Sequence, residues 1–132
     1  MDKEILFRAG AVVYAKNIDR IARFYSELAE LGIVEREPGF VVLESAAFQL
    51  VVVAVRPAIA ARIAISAPPA RREDAAVKLC FAVADLAAAR ACAADLGGEL
   101  NAPEREWEFR GSRVCDGYDP EGNIFQVRAP LT

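Results

Sequence analysis

Few residues in this chain of 132 are of types that commonly act in catalysis or metal binding, and the absence of histidine is as informative as the residues present. The chain contains no histidine, which excludes Ser-His or Cys-His catalysis and any histidine-ligated metal or haem. A metal would need carboxylate, cysteine or amide ligands. The cysteines Cys80, Cys92 and Cys115 are widely spaced and form no C-x-x-C pair. They therefore predict neither a zinc site nor a disulfide framework.

Composition predicts one compact domain, because the length suits a single core and 55% apolar residues are too many for a disordered chain. A net charge of -3 argues against nucleic-acid binding.

No apolar run approaches the ~18 residues of a membrane span, and the start MDKEILFRAG is too polar for a signal peptide. With the odd cysteine count, these features indicate a cytoplasmic protein. Abundant alanine and scarce lysine are typical of a GC-rich bacterial genome.

The elements that must position any site form a unit that occurs twice. Residues 7–16 have a strand composition, Asn17 is a typical N-cap, and apolar residues then recur at helical spacing until Gly32. Three strands follow, in IVERE, FVVLES and AFQLVVVAV. The pattern restarts at residue 77 with the strand VKLCFAVA and the cap Asp85, which lies 68 residues after Asn17.

This repeat predicts an α+β fold made of two tandem βαβββ modules. We expect a single domain over residues 1–132, with repeats at about 5–56 and 77–130 joined by a linker at 57–76. The modules would form a cupped mixed sheet with the helices on its outer face, and a concave surface is the default site for a small molecule. The charged run at 71–74 within the linker is interpreted as a solvated surface segment.

Two segments, VYAKNIDRIARFYSELAELGI and DPEGNIFQV, resemble the vicinal oxygen chelate superfamily, which includes glyoxalase I, extradiol dioxygenases and bleomycin-resistance proteins. The resemblance spans essentially the whole chain. It implies paired βαβββ modules around a cupped sheet, in agreement with the repeat. It also implies a homodimer with cavities near the subunit interface.

The resemblance further implies four inward positions, commonly His or Glu, on the first and last strands of the modules. In this chain they fall on Gly10, Gln49, Lys78 and Gln126. Glycine offers no ligand, a lysine ammonium repels a divalent cation, and amide oxygens are weak ligands for a transition metal. We therefore expect neither a metal nor another cofactor, and no metal-dependent glyoxalase or dioxygenase activity.

Other residues are expected to line the same cavity. Asp116 lies ten residues before Gln126, where the extradiol branch has a functional tyrosine, and it could pair with Lys78 or join it in binding or catalysis. Trp107 and Tyr118 are candidate aromatic walls for a planar ligand, although aromatic residues also suit a sheet end or an interface. Cys80 would share the face of Lys78, and the roles of Cys80 and Cys115 stay open.

Three functions fit these observations. The first is a metal-independent protein that binds a small organic molecule in the cup and sequesters a drug or metabolite. The second is a lyase, isomerase or dioxygenase-like enzyme that uses Lys78 and Asp116 or a relocated metal site built from carboxylates. The third is an interaction module without a small ligand.

Overall fold

The computed structural model describes residues 8–131 as two βαβββ modules around one core, which confirms the predicted α+β fold. The start of the first repeat, residues 5–7, lies outside the described residues. The first module comprises β1 (Ala9–Ala15), α1 (Ile18–Ala29), β2 (Gly32–Glu37), β3 (Phe40–Glu44) and β4 (Phe48–Ala54), and a short helix, α2 (Pro57–Ala60), follows it. The second module comprises β5 (Leu79–Ala82), α3 (Leu86–Asp95), β6 (Glu99–Leu100), β7 (Trp107–Phe109), β8 (Ser112–Tyr118) and β9 (Ile124–Pro130).

Each module builds a mixed sheet with the same strand order. The first sheet runs β1-β4-β3-β2, and the second runs β5-β9-β8-β6 with β7 paired to β8. The first strand of each module is parallel to the last, and the other pairs are antiparallel. Within the described residues no strand of one sheet pairs with a strand of the other. As a result, β1 and β5 are free sheet edges.

Both long helices begin at the predicted caps. The Asn17 side chain accepts a hydrogen bond from the Arg20 N–H at 3.0 Å, and Asp85 accepts one from the Ala88 N–H at 2.8 Å. Each cap satisfies a backbone donor that the first helical turn leaves unpaired. The end of α1 differs from the prediction, because Glu30 and not a glycine adopts the left-handed conformation that closes it, with φ of 55°.

A single core joins the two modules. Phe24 of α1 packs edge-on against Phe125 of β9, with ring centroids 5.6 Å apart. Tyr25 of α1 and Phe48 of β4 both contact Phe81 of β5, at 5.4 and 5.8 Å. Because alternate residues of a strand point to opposite faces, the inner faces of both sheets turn toward this core. The opposite face of each sheet, on the side away from this core and its helices, is called its outer face from here on.

A buried carboxylate fastens α1 to the turn between β8 and β9. Asp119 is fully buried and accepts the Tyr25 hydroxyl at 2.7 Å. It also accepts the backbone N–H groups of Glu121 and Asn123 at 2.8 and 3.1 Å, and the Asn123 amide at 2.9 Å. Burial raises the pKa of Tyr25 well above its usual value, so the phenol keeps its proton as a donor. Burial also raises the pKa of Asp119, while these four donors favour its charged form.

The connection between the modules is more ordered than a solvated linker. The Lys16 ammonium donates to the Ile63 carbonyl oxygen. The Arg71 guanidinium lies 5.5 Å from the centroid of the Tyr118 ring and donates to Asn101 Oδ1 at 3.3 Å. Arg71 thus differs from the solvated charge that was expected, because it finds an aromatic and an amide partner on the second module.

The second module contains one strand more than the sequence predicted. Strand β7 pairs with β8 through a two-residue turn formed by Arg110 and Gly111. Their φ angles of 48° and 80° are both positive, as in the type I′ turns that suit tight hairpins. This hairpin carries Trp107 and Phe109 at the edge of the second sheet.

We expect Asp119→Ala to lower the free energy of unfolding by about 3 kcal/mol, because several buried donors lose their acceptor. Tyr25→Phe should cost less, about 1 to 2 kcal/mol, because Asp119 keeps three of its four donors. Urea denaturation followed by circular dichroism measures both. The control is Asp74→Ala, at an exposed linker carboxylate. Equal stability of Asp119→Ala and this control would contradict the role assigned to Asp119.

Candidate functional site

Three of the predicted site residues meet on the outer face of the second sheet, here called the second outer face. Lys78 Nζ donates to Asp116 Oδ2 at 2.8 Å, and Gln126 Nε2 donates to Asp116 Oδ1 at 3.2 Å. Asp116 and Gln126 are direct cross-strand partners and so share a face. Register also places Cys80 beside Gln126, and its thiol donates to Gln126 Oε1 at 3.6 Å. The structure thus joins Lys78, Asp116 and Gln126 in one network, and Cys80 lies on the same face, as the sequence predicted.

Arg128 extends this network and was missed in the sequence. Its Nε donates to Gln126 Oε1 at 2.9 Å, and its Cζ lies 5.0 Å from the centroid of the Phe109 ring. The available signal was strand alternation, because a residue two positions after Gln126 points to the same face.

The cysteine thiols near these residues are not activated. Burial raises the pKa of Cys80, and Asp116 adds to the rise, while Arg128 and Lys78 act in the opposite direction. Burial also raises the pKa of Cys115, whereas the nearby Arg90 guanidinium acts to lower it. A protonated thiol is a poor nucleophile. Neither cysteine therefore supplies a reactive thiolate at neutral pH.

Trp107 lies on the second outer face, as an aromatic wall would require. It is paired with Val114, which precedes Asp116 by two residues and shares its face. The side chain is 40% exposed. Phe109 lies on the same face of the hairpin and is 44% exposed. The two rings give this face an apolar border.

Tyr118 is enclosed by its neighbours. It is 9% exposed, its ring lies beneath Arg71, and its hydroxyl donates to Glu99 Oε1 at 2.8 Å. The hydrogen bond to Glu99 and burial raise the pKa of Tyr118. In this arrangement Tyr118 holds the linker and offers no free hydroxyl to a ligand.

Gly10 and Gln49 lie on the outer face of the first sheet, here called the first outer face. They form one row with Glu44. Gln49 Nε2 donates to Glu44 Oε2 at 2.7 Å, and Glu44 Oε1 accepts from Arg8 Nη1 at 3.0 Å. Among residues 8–131 no hydrogen bond connects this row with the network on the second outer face. The four positions that the family resemblance implies are therefore divided between two faces.

The residues at these four positions do not fit a divalent metal. A Cβ added to Gly10 would lie 2.2 Å from the backbone oxygen of Gln49, so a donor side chain there would force β1 and β4 apart. Lys78 brings a positive charge, and the amides of Gln49 and Gln126 are engaged by neighbouring carboxylates. Over the whole described range, no cluster of three or more His, Cys, Asp or Glu residues could hold a metal.

Both outer faces are open surfaces in the single chain. A cavity of about 550 Å³ lies between the start of α1 and the linker, and its lining does not include Gln49, Lys78 or Gln126. No helix within residues 8–131 is long and apolar enough to cross a membrane.

Comparison with known proteins agrees with the fold. A family model described as a glyoxalase-like domain matches residues 10–128, and no curated protein sequence matches the chain. A glyoxalase/bleomycin resistance protein/dioxygenase family enzyme from Burkholderia phytofirmans PsJN has a TM-score of 0.66 at 18% identity, over 93% of this chain and 98% of that one. A protein of unknown function from Agrobacterium tumefaciens str. C58 has a TM-score of 0.62 at 26% identity, over 96% and 95%. TnmS3, an antibiotic binding protein from Streptomyces sp. CB03234, has a TM-score of 0.61 at 20% identity, over 98% and 100%.

We expect Gly10→Ala to lower the free energy of unfolding by about 2 kcal/mol, because the added methyl group would overlap the Gln49 carbonyl. Gly39→Ala is the matched control, since a Cβ at Gly39 meets no atom within 4 Å. Thermal denaturation of both variants measures the difference. Equal stability of the two variants would contradict this explanation, because it would show that the close approach of β1 and β4 leaves room for a side chain at Gly10.

Proposed function

The chain belongs to the glyoxalase-like domain family of the vicinal oxygen chelate superfamily, and from this premise we propose that it is a metal-independent binding protein for a small organic molecule. The observation that carries the proposal is the network in which Asp116 joins Lys78 and Gln126, two of the four positions where the family resemblance implies metal ligands. TnmS3, which has the same fold, is an antibiotic binding protein. A drug or metabolite is accordingly the ligand we expect. The three cysteines are free, which suits the cytoplasm.

Binding of this kind needs polar groups that orient a ligand and apolar groups that cover it. Lys78 retains ammonium protons beyond the one donated to Asp116 and can donate them to a ligand oxygen. Trp107 can pack against a planar group. The same 2.8 Å contact between Lys78 and Asp116 favours a second candidate, a metal-independent lyase or isomerase, because it sets a proton donor beside a proton acceptor.

A second copy of the chain is proposed to complete the cup. Within residues 8–131 of one chain, β1 and β5 are free edges, and natural proteins usually cover such edges. On β1, Val12 is 55% exposed and Tyr14 is 65% exposed. Both lie on the first outer face with Gly10. An apolar, unpartnered strand of this kind is suited to an interface.

Charge favours pairing of the first outer face with the second outer face of another copy. Glu35 and Glu37 are paired with outer-face residues of β3, so they join Glu44 on the first outer face. On the second outer face Lys78 and Arg128 flank Asp116, while Glu99 lies at the β6 edge, where its carboxylate accepts the Tyr118 hydroxyl. Complementary charges of this kind orient partners on association. The ligand would then lie between two copies.

We expect a broad panel of small organic molecules, screened by thermal shift, to contain ligands that raise the melting temperature of the protein, because a ligand that binds the folded state stabilises it by mass action. Lys78→Met should reduce the shift, whereas Arg105→Met, which removes an exposed charge elsewhere, should not. Treatment with EDTA should change nothing.

Three results would count against this function. A panel without any shift would contradict small-molecule binding. A stoichiometric metal in the purified protein, required for binding, would contradict metal independence. Metal-free turnover of a ligand that is lost in Lys78→Met would replace the binding protein by the lyase or isomerase.

Sedimentation velocity should show a dimer at micromolar concentration. Tyr14→Asp should shift the protein to monomer, because a charge would enter the proposed interface. The substitution leaves the core untouched, since Tyr14 is 65% exposed. Ile59→Asp, at a 42% exposed apolar residue of α2, should remain dimeric. A monomeric parent protein, or equal behaviour of the two variants, would contradict the proposed dimer.

A further inference from the structure

Two cations lie on the second outer face, and only one of them faces a carboxylate. Lys78 is paired with Asp116 at 2.8 Å. No carboxylate within residues 8–131 forms an ion pair with Arg128, whose hydrogen bond from Nε goes to the Gln126 carbonyl oxygen at 2.9 Å. In that part of the chain, Arg128 Nη1 and Nη2 have no acceptor. These two nitrogens form the planar fork that pairs with a carboxylate through two parallel hydrogen bonds.

The Arg128 guanidinium is also held in place. Its Cζ lies 5.0 Å from the centroid of the Phe109 ring, within the range of a cation–π contact. The Gln126 amide that accepts its Nε is itself fixed, because its Nε2 donates to Asp116 and its Oε1 accepts the Cys80 thiol. A cation that is oriented before the ligand arrives loses less conformational entropy on binding.

Each side-chain acceptor oxygen of the network already accepts a hydrogen bond, whereas several N–H donors have no partner within residues 8–131. Both oxygens of Asp116 accept hydrogen bonds, one from Lys78 and one from Gln126. The Gln126 oxygen accepts from Arg128 and Cys80. The groups left for a ligand are N–H donors of Lys78 and Arg128, with one positive charge in excess over Asp116. An anionic acceptor is the chemical group that matches them.

An aromatic surface adjoins these donors. Trp107, Val114 and Arg128 are consecutive cross-strand partners on β7, β8 and β9, and so form one row on the second outer face. Two strand spacings separate Trp107 from Arg128, roughly 10 Å. Val114 is itself buried, at 1% exposure, whereas Trp107 is 40% exposed. A benzoate-sized molecule would therefore span this distance with its ring against Trp107 and its carboxylate at Arg128.

From these observations we infer that the second outer face selects aromatic carboxylates, and that Arg128 determines this preference. The inference rests on the proposed function. It adds the chemical class of the ligand and the residue that recognises the carboxylate of that ligand. Phe109 and Gln126 act on the ligand through Arg128, as positioning residues. Trp107 provides the apolar contact.

The only tryptophan of the chain lies at this site, so its fluorescence reports binding directly. The probes are 4-nitrobenzoate, whose nitroaromatic ring quenches tryptophan on contact, and its neutral analogue 4-nitrobenzamide. We expect saturable quenching with affinity about tenfold or more higher for the carboxylate, in line with one charge-assisted bidentate pair. Arg128→Gln should weaken 4-nitrobenzoate binding by about the same factor and leave the amide unchanged.

Two further variants secure the interpretation. Arg110→Gln removes an equal charge from the exposed β7–β8 turn and should keep the full preference. Arg128→Lys keeps the charge without the planar fork, and it should lose most of the preference while circular dichroism stays unchanged. A preference that falls equally in Arg110→Gln would reduce the effect to general electrostatics and overturn the inference.

The inference and the proposed function fail in different ways. Equal affinity for the two probes, or a preference that survives Arg128→Gln, overturns the inference and leaves small-molecule binding in place. No saturable quenching by either probe also overturns it, and small-molecule binding is then decided by the thermal-shift panel alone.

Discussion

The hydrogen bond between the Tyr25 hydroxyl and the Asp119 carboxylate is a fully buried polar contact between the two modules. It fastens the helix of the first module to a turn of the second. Aromatic side chains of both modules then pack into one core, as the contact of Phe24 with Phe125 illustrates. Because the inner faces of both sheets pack into this core, the outer faces of both sheets lie at the surface of the chain. The position of the candidate site on the outside of the chain is a consequence of how its interior is built.

The candidate site differs from a metal centre in packing as well as in residue type. At Gly10 the backbone of β4 occupies the space of a side chain, so a ligand residue is excluded by geometry. At Lys78 a fixed cation is already present, and Asp116 holds it in place. Positive charge at this surface is therefore built into the polypeptide. The Lys78 ammonium is held by its ion pair with Asp116 at 2.8 Å.

Local features of the fold were predictable from the sequence, whereas features that depend on how elements meet were not. The caps Asn17 and Asp85 were identified because a cap is set by a few neighbouring residues. The grouping of Lys78 with Asp116 followed from the family resemblance, which implied that both positions line one cavity. The enclosure of Tyr118 depends on where a distant linker residue lies, which no spacing reveals. Likewise, alternation shows which face of its strand Gln49 occupies, but not that its sheet faces away from that of Gln126.

Strand β7 of the hairpin lies outside this shared interior. Trp107 and Phe109 sit on a strand of three residues that pairs on one side only, and no residue of that strand belongs to the buried core. Insertions, deletions or exchanges in this segment would change the aromatic border of the second outer face at little cost in folding free energy. Selection can thus act on molecular recognition separately from stability. Substitutions in this one hairpin would alter the surface that meets a ligand. The buried contacts of Asp119, Tyr25 and the aromatic rings around them would be unaffected.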